Sequence, residues 1–164
     1  MRQRSAMTPD GWLGSPGIAE FRTMEHEEAL IRTFIVPAKR QRYLDKLGSP
    51  KTRQKFIADN LYHMGDLDER YIEKPKLHTP LVEFEARRAS YIDAIYALLR
   101  DRGAPSRCYV LSTTELDGQE ADLREALDRV CGSSEGTFIS CIPGRLAYFE
   151  GETPDQQYVL QRSD

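Results

Sequence analysis

The side chains best suited to chemistry gather in one stretch of this chain, Thr137–Glu152, TFISCIPGRLAYFEGE. Two apolar runs, Phe138–Ile142 and Leu146–Phe149, flank Pro143-Gly144, a turn-forming dipeptide, so the stretch reads as a β-hairpin. Side chains alternate between the faces of a strand. Leu146, Tyr148, Glu150 and Glu152 therefore share one face, and Arg145, Ala147 and Phe149 the other. Arg145, Tyr148 and Glu150 form the candidate polar site of a small enzyme built on strand 145–152, with a carboxylate and a phenol for acid/base work. Glu150 and Glu152 could also hold a cation or act as an acid/base pair. Against this, the strand should be ending at Glu150-Gly151-Glu152, where exposed charge is expected. Cys141 would need a lowered pKa to be a nucleophile, normally from a histidine or a helix N-terminus. His26, His63 and His78 all lie in the N-terminal half. A buried structural cysteine is the better reading of Cys141.

A second candidate is electrostatic. Between Lys39 and Lys55 stand seven basic residues and one acid, Asp45, in a chain of net charge −3. Lys39, Arg40 and Arg42 on one helix, with Lys51, Arg53 and Lys55 on the next, could meet phosphates and bind nucleic acid through the basic helices 38–61. The Ser49-Pro50 junction is loosely like a helix-turn-helix. A solvated face is the competing reading, since short helices need such residues on their outsides. His63, Asp66 and Asp68 have no recognised ligand geometry, and paired Cys/His spacings for zinc do not occur. Phosphate-binding loops of the GxxxxGK[ST] type, GxGxxG and the GxSxG elbow do not occur either. Neither a metal nor a cofactor is expected.

These residues must be positioned by a recognisable set of elements. Residues 1–23 contain three of the eleven glycines and two prolines and read as a flexible leader, with Met24 as a candidate natural start. Glu25–Ile35 reads as a short helix, Ala38–Leu47 as a second opened by Pro37 and stopped by Gly48, and Pro50 to about Leu61 as a third with Ser49 as N-cap. Leu30, Phe34, Leu44, Leu47, Phe56, Ile57 and Leu61 would be their shared core. Tyr62–Thr79 is irregular, with one helical turn at Leu67–Ile72. The longest helix is expected over Pro80–Arg102, closed by Gly103. Cys108–Ser112 reads as a strand and Thr113–Gly118 as a polar turn. Asp122 and Glu125 form a capping box before an amphipathic helix through Leu123, Ala126, Leu127, Val130 and Cys131. The hairpin and a last strand, Gln157–Arg162, complete the order β-α-β-β-β.

The 164 residues suffice for one domain with a proper core. Forty per cent hydrophobic and 30% charged residues, at a mean hydropathy of −0.58, describe a soluble globular protein. No run approaches the roughly 18 apolar residues a membrane helix needs. Three scattered cysteines, Cys108, Cys131 and Cys141, make no disulfide framework and suit a reducing cytoplasm.

The blocks VPAKRQRYLDKL, SPKTRQKF, RGAPSRCYVLS, ELDG and ISCIPGRLAYFEGE resemble a family of small bacterial proteins known mainly as hypothetical, from about Met24 to the C-terminus. The resemblance implies a bacterial cytoplasmic origin and a compact fold, with no activity attached. The expectation is an α+β protein. A leader, 1–23, precedes a single domain, 24–164, made of a helical part, 24–79, and a long helix plus mostly antiparallel sheet, 80–164. Core positions are Leu111, Leu127, Phe138, Ile142, Leu146 and Leu160. A non-catalytic protein-binding or regulatory module is the favoured function, ahead of nucleic-acid binding and a small enzyme.

Overall fold

A computed structural model describes residues 16–61, 66–75, 84–153 and 156–164. The leader through residue 15, His63, His78 and the expected helix start at Pro80 lie outside the described residues. Five helices and six strands are described: α1 (Pro16–Phe34), α2 (Pro37–Leu47), α3 (Pro50–Asn60), β1 (Ile72–Glu73), α4 (Phe84–Asp101), β2 (Arg107–Ser112), β3 (Gln119–Asp122), α5 (Leu123–Val130), β4 (Thr137–Ile142), β5 (Leu146–Glu150) and β6 (Gln157–Gln161). The fold is α+β, with one sheet of order β1-β6-β5-β4-β2-β3 in which every pairing is antiparallel.

Local signals account for most boundaries. Asp122 caps α5 by accepting from Glu125 N at 3.1 Å. Arg145 N donates to Ile142 O at 3.0 Å around Pro143 and Gly144, whose φ of +66° makes this a turn with glycine where a side chain would be strained. A single 3₁₀ turn occupies Glu69–Tyr71.

Other boundaries differ from the sequence reading. α1 starts at Pro16, well before Met24. Ser49 sits at the N-cap of α3 without a side-chain bond; Thr52 Oγ1 reaches back to Lys46 O at 2.7 Å and ties the two helices together. Two strands were not expected. β1 is two residues long, and β3 is a polar edge strand that exists through backbone pairing with β2.

Helices cover both faces of the sheet. α4 and α5 bury Tyr91, Ile92, Ile95, Leu99, Leu123 and Leu127 against Val110, Ile139, Leu146 and Val159. On the opposite face, α1–α3 bury Leu30, Phe34, Phe56 and Ile57 against Leu111, Phe138, Phe149 and Leu160. This double cover explains why β4 and β5 are apolar on alternating residues of both parities. Of the expected core, Leu111, Leu127, Phe138, Leu146 and Leu160 are buried, while Ile142 and Leu44 are partly buried.

Candidate functional site

β5 directs Tyr148 and Glu150 toward α4 and α5, and the sheet register builds a polar row around them. Ser112, Thr137, Glu150 and Gln157 stand directly opposite one another across β2, β4, β5 and β6, and all four are buried. Glu150 is 1% exposed. Its Oε1 accepts from Gly132 N at 2.6 Å and its Oε2 from Tyr148 OH at 3.1 Å. The Tyr91 hydroxyl lies 3.2 Å from that of Tyr148, and Cys131 Sγ 3.7 Å from it. Gly132, at φ +80°, turns the chain after α5 so that its N–H faces the carboxylate. Arg88 closes the same helix end, donating from Nε to Cys131 O at 2.9 Å and from Nη2 to Asp128 O. Gln157 Nε2 is buried beside this group with no partner at hydrogen-bond geometry among the described residues.

Burial pushes the Glu150 carboxyl up to about 7, and the bonds from Gly132 and Tyr148 and the Arg88 charge offset only part of that. The Tyr148 and Tyr91 hydroxyls are raised by burial as well. The row is a closed proton-bearing network inside the core. Arg145 does not join it: its exposed guanidinium pairs with Asp164 at 2.7 Å. Glu152 lies exposed beyond the end of β5, so the carboxylate pair is not formed. Burial of Glu150 corrects the expectation of exposed charge there. Tyr91, Cys131, Gly132 and Arg88 escaped sequence reading because they come from distant elements. Gln157 was within reach, since extending the β5–β6 register places it opposite Glu150.

Most of the basic helix residues are engaged within the chain. Lys39 pairs with Asp66 at 2.5 Å, Arg40 with Asp68 at 3.8 Å, and Lys55 with Asp59 at 3.0 Å. Arg42 lies 5.8 Å over the Phe56 ring. Arg53 bridges Glu27 of α1 and Asp117 of the β2–β3 turn, while Tyr109 OH donates to the same Glu27 oxygen at 2.6 Å. Its guanidinium is raised further above its usual range by those carboxylates, against the opposing effect of burial. Lys51 is exposed. The remaining Asp66 oxygen accepts from Tyr43 OH at 2.6 Å, so Asp66 and Asp68 act as ties between α2 and the segment after residue 65. Among the described residues, no group of three or more His, Cys, Asp or Glu could hold a metal ion.

Open clefts among the described residues lie elsewhere, and neither Tyr148 nor Glu150 lines the three that follow. One of about 410 Å³ runs between α1 and the α2–α3 corner, with Ile31, Leu44 and Leu47 below and Met24, Glu28, Asp45 and Arg53 around it. A second, of about 380 Å³, is bordered by Ser112, Thr113, Thr114 and Asp117. The third, of about 300 Å³, brings His26 to the same wall as Cys108 and Cys141. His26 stacks on Tyr109 with ring centres 5.3 Å apart and its Nδ1 lies 2.8 Å from Ser140 Oγ. Burial lowers its pKa against the raising effect of Glu120 and Glu25, and it bonds no cysteine. Burial pushes the Cys108 thiol up to about 12 and raises that of Cys141 further.

Fold and clefts together define an antiparallel α+β domain covered by helices on both faces. No described helix is long and apolar enough to cross a membrane. No family model, curated protein or solved structure matches the chain.

Proposed function

We propose that this chain is a non-catalytic protein-binding module of the bacterial cytoplasm, and that the cleft between α1 and the α2–α3 corner receives the partner. The observation that carries the proposal is Met24. At 64% exposure it is the one large hydrophobic side chain standing in solvent among the residues whose side chains are described, and it borders the largest of the three clefts, above the apolar Ile31, Leu44 and Leu47. Apolar area at a concave site with a polar rim is the usual make-up of a recognition surface. The cleft's charges indicate the partner. Arg32 is paired with Glu28, and Arg53 is shared between Glu27 and Asp117. Asp45 is held by the neutral Gln41 amide at 2.8 Å. The rim is therefore net acidic, and a segment presenting one large apolar side chain beside a lysine or arginine complements it. The resemblance of residues 24–164 to small bacterial proteins supplies the cellular setting.

Selection from a random peptide-display library on the immobilised chain tests this reading. Selected peptides should share an apolar residue next to a basic one. Their binding should fall at least tenfold in Met24→Asp and in Asp45→Lys, both exposed positions whose change leaves the melting temperature within a few degrees. Selection of no such motif, or binding indifferent to both substitutions, overturns it.

A further inference from the structure

The sheet register gathers three charges near the start of β2. Tyr109 stands opposite Glu120 on β3 and Ser140 on β4, and its ring stacks on His26 of α1. Tyr109, Glu120 and Ser140 therefore share the α1 face of the sheet, and Arg107, two positions before Tyr109, shares it too. Arg107 and Glu120 are diagonal neighbours on that face, about 7–8 Å apart. Both line the cleft of about 300 Å³ beside His26, which Glu25 joins from α1. Where exposed charges of opposite sign meet elsewhere on this chain, they pair, as Arg124 does with Asp93, Arg129 with Glu115 and Arg145 with Asp164. Arg107, Glu25 and Glu120 are all exposed, yet among the described residues they form no ion pair, with one another or with any other group. His26 is held between them by the Tyr109 ring and by Ser140 Oγ, 2.8 Å from its Nδ1. Burial lowers its pKa against the raising effect of Glu120 and Glu25, so at neutral pH the ring is an uncharged wall.

We propose that this cleft is a binding site for a free basic α-amino acid, with Arg107 taking its carboxylate and Glu120 and Glu25 its two cations. The planar guanidinium of Arg107 presents paired donors that match a carboxylate. The aliphatic stem of the ligand lies along the neutral His26 ring. Charge selects the class of ligand. One arginine and two glutamates leave the cleft with one net negative charge, and a basic amino acid carries one net positive charge in the complementary arrangement. A neutral amino acid leaves one carboxylate unmatched, and an acidic one sets like charges together. Size agrees, since about 300 Å³ lies at the lower end of small-molecule sites. The cleft shares no lining residue with the one bordered by Met24, so this site is separate from the peptide site proposed above.

The test titrates the ¹⁵N-labelled full-length chain with L-arginine, and separately with L-lysine, at constant ionic strength and pH 7, following backbone amides by NMR. At least one should saturate with a Kd of about 1 mM or tighter, with the largest shifts at His26, Arg107 and Glu120. Removing the ligand's carboxylate (agmatine, cadaverine), its α-cation (the Nα-acetyl forms) or its side-chain cation (leucine) should each weaken binding about tenfold. Arg107→Ala and Glu120→Gln should do the same while leaving the melting temperature within a few degrees, as both positions are exposed. The proposal is overturned if neither amino acid binds, if the decarboxylated amines bind as tightly as their parents, if both substitutions leave affinity unchanged, or if the shifts centre on Met24 and Asp45.

Discussion

Glu150 is a carboxyl group that the fold pays to ionise, and its replacement by glutamine exposes that cost. Burial sets its folded-state pKa at about 7 against 4.5 in the unfolded chain. A raised pKa means that stability is fully present below about pH 4.5 and is lost as pH rises through about 7. At about 1.4 kcal/mol per pH unit, ionising Glu150 costs the folded state about 3 kcal/mol. A glutamine side chain at this position is neutral throughout and keeps an oxygen to accept from Gly132 N. Glu150→Gln should therefore gain about 3 kcal/mol on the wild type between about pH 5 and about pH 8, or about 10 °C in melting temperature for a chain of this size. Other groups titrate in the same window. His26, with its pKa lowered by burial, loses stability as pH falls, the opposite sign. The decisive quantity is thus the difference between the two proteins' stability profiles, measured by urea denaturation across pH. A ¹³C titration of the Glu150 carboxyl gives the midpoint directly. Parallel profiles, or a midpoint below about 5, would refute the reasoning.

The Glu27–Arg53–Asp117 bridge yields a second prediction. Its side chains are 19%, 11% and 20% exposed for Arg53, Glu27 and Asp117, so Arg53→Met leaves two poorly solvated carboxylates facing one another. A loss of about 3 kcal/mol is expected in denaturant titration. Adding Glu27→Gln and Asp117→Asn should recover most of it; failure to recover would show that the bridge is not the cause. A third prediction concerns nucleic acid. With Lys39, Arg40 and Arg53 held by internal carboxylates, Arg42, Lys46, Lys51 and Lys55, whose pair with Asp59 is solvent-exposed, remain for phosphates. Fluorescence anisotropy with labelled DNA or RNA should show a log–log salt slope no steeper than about −4, whereas a steeper slope would restore the whole basic stretch as an interface.

Several features of the fold were legible because their causes are short-range. The Pro143-Gly144 turn, the Asp122 cap and the helix stop at Gly48 each depend on residues within a few positions of one another. The apolar spacing of Leu123, Ala126, Leu127 and Val130 likewise named the buried stripe of α5. β3 was invisible because Gln119–Asp122 has no apolar alternation and is held as a strand by its neighbour's backbone. The early start of α1 was hidden by the glycines and prolines of the first 23 residues, which signal irregular chain.

The amino-acid sequence by itself determined the α+β class, the hairpin that carries Tyr148 and Glu150, and most of the core. Tertiary structure alone decided what those residues became. Local pattern says which side chains share a strand face, but the cover placed over that face comes from residues far along the chain. Here the end of α5 and the middle of α4 close over Glu150, bringing Gly132, Tyr91 and Arg88 to it, while Arg145, in the turn that enters the same strand, faces solvent. Arg53, read from sequence as a free charge, is neutralised by carboxylates 26 and 64 positions away. Desolvation and charge pairing at such separations are set by the packing of whole elements, which short-range preferences do not encode.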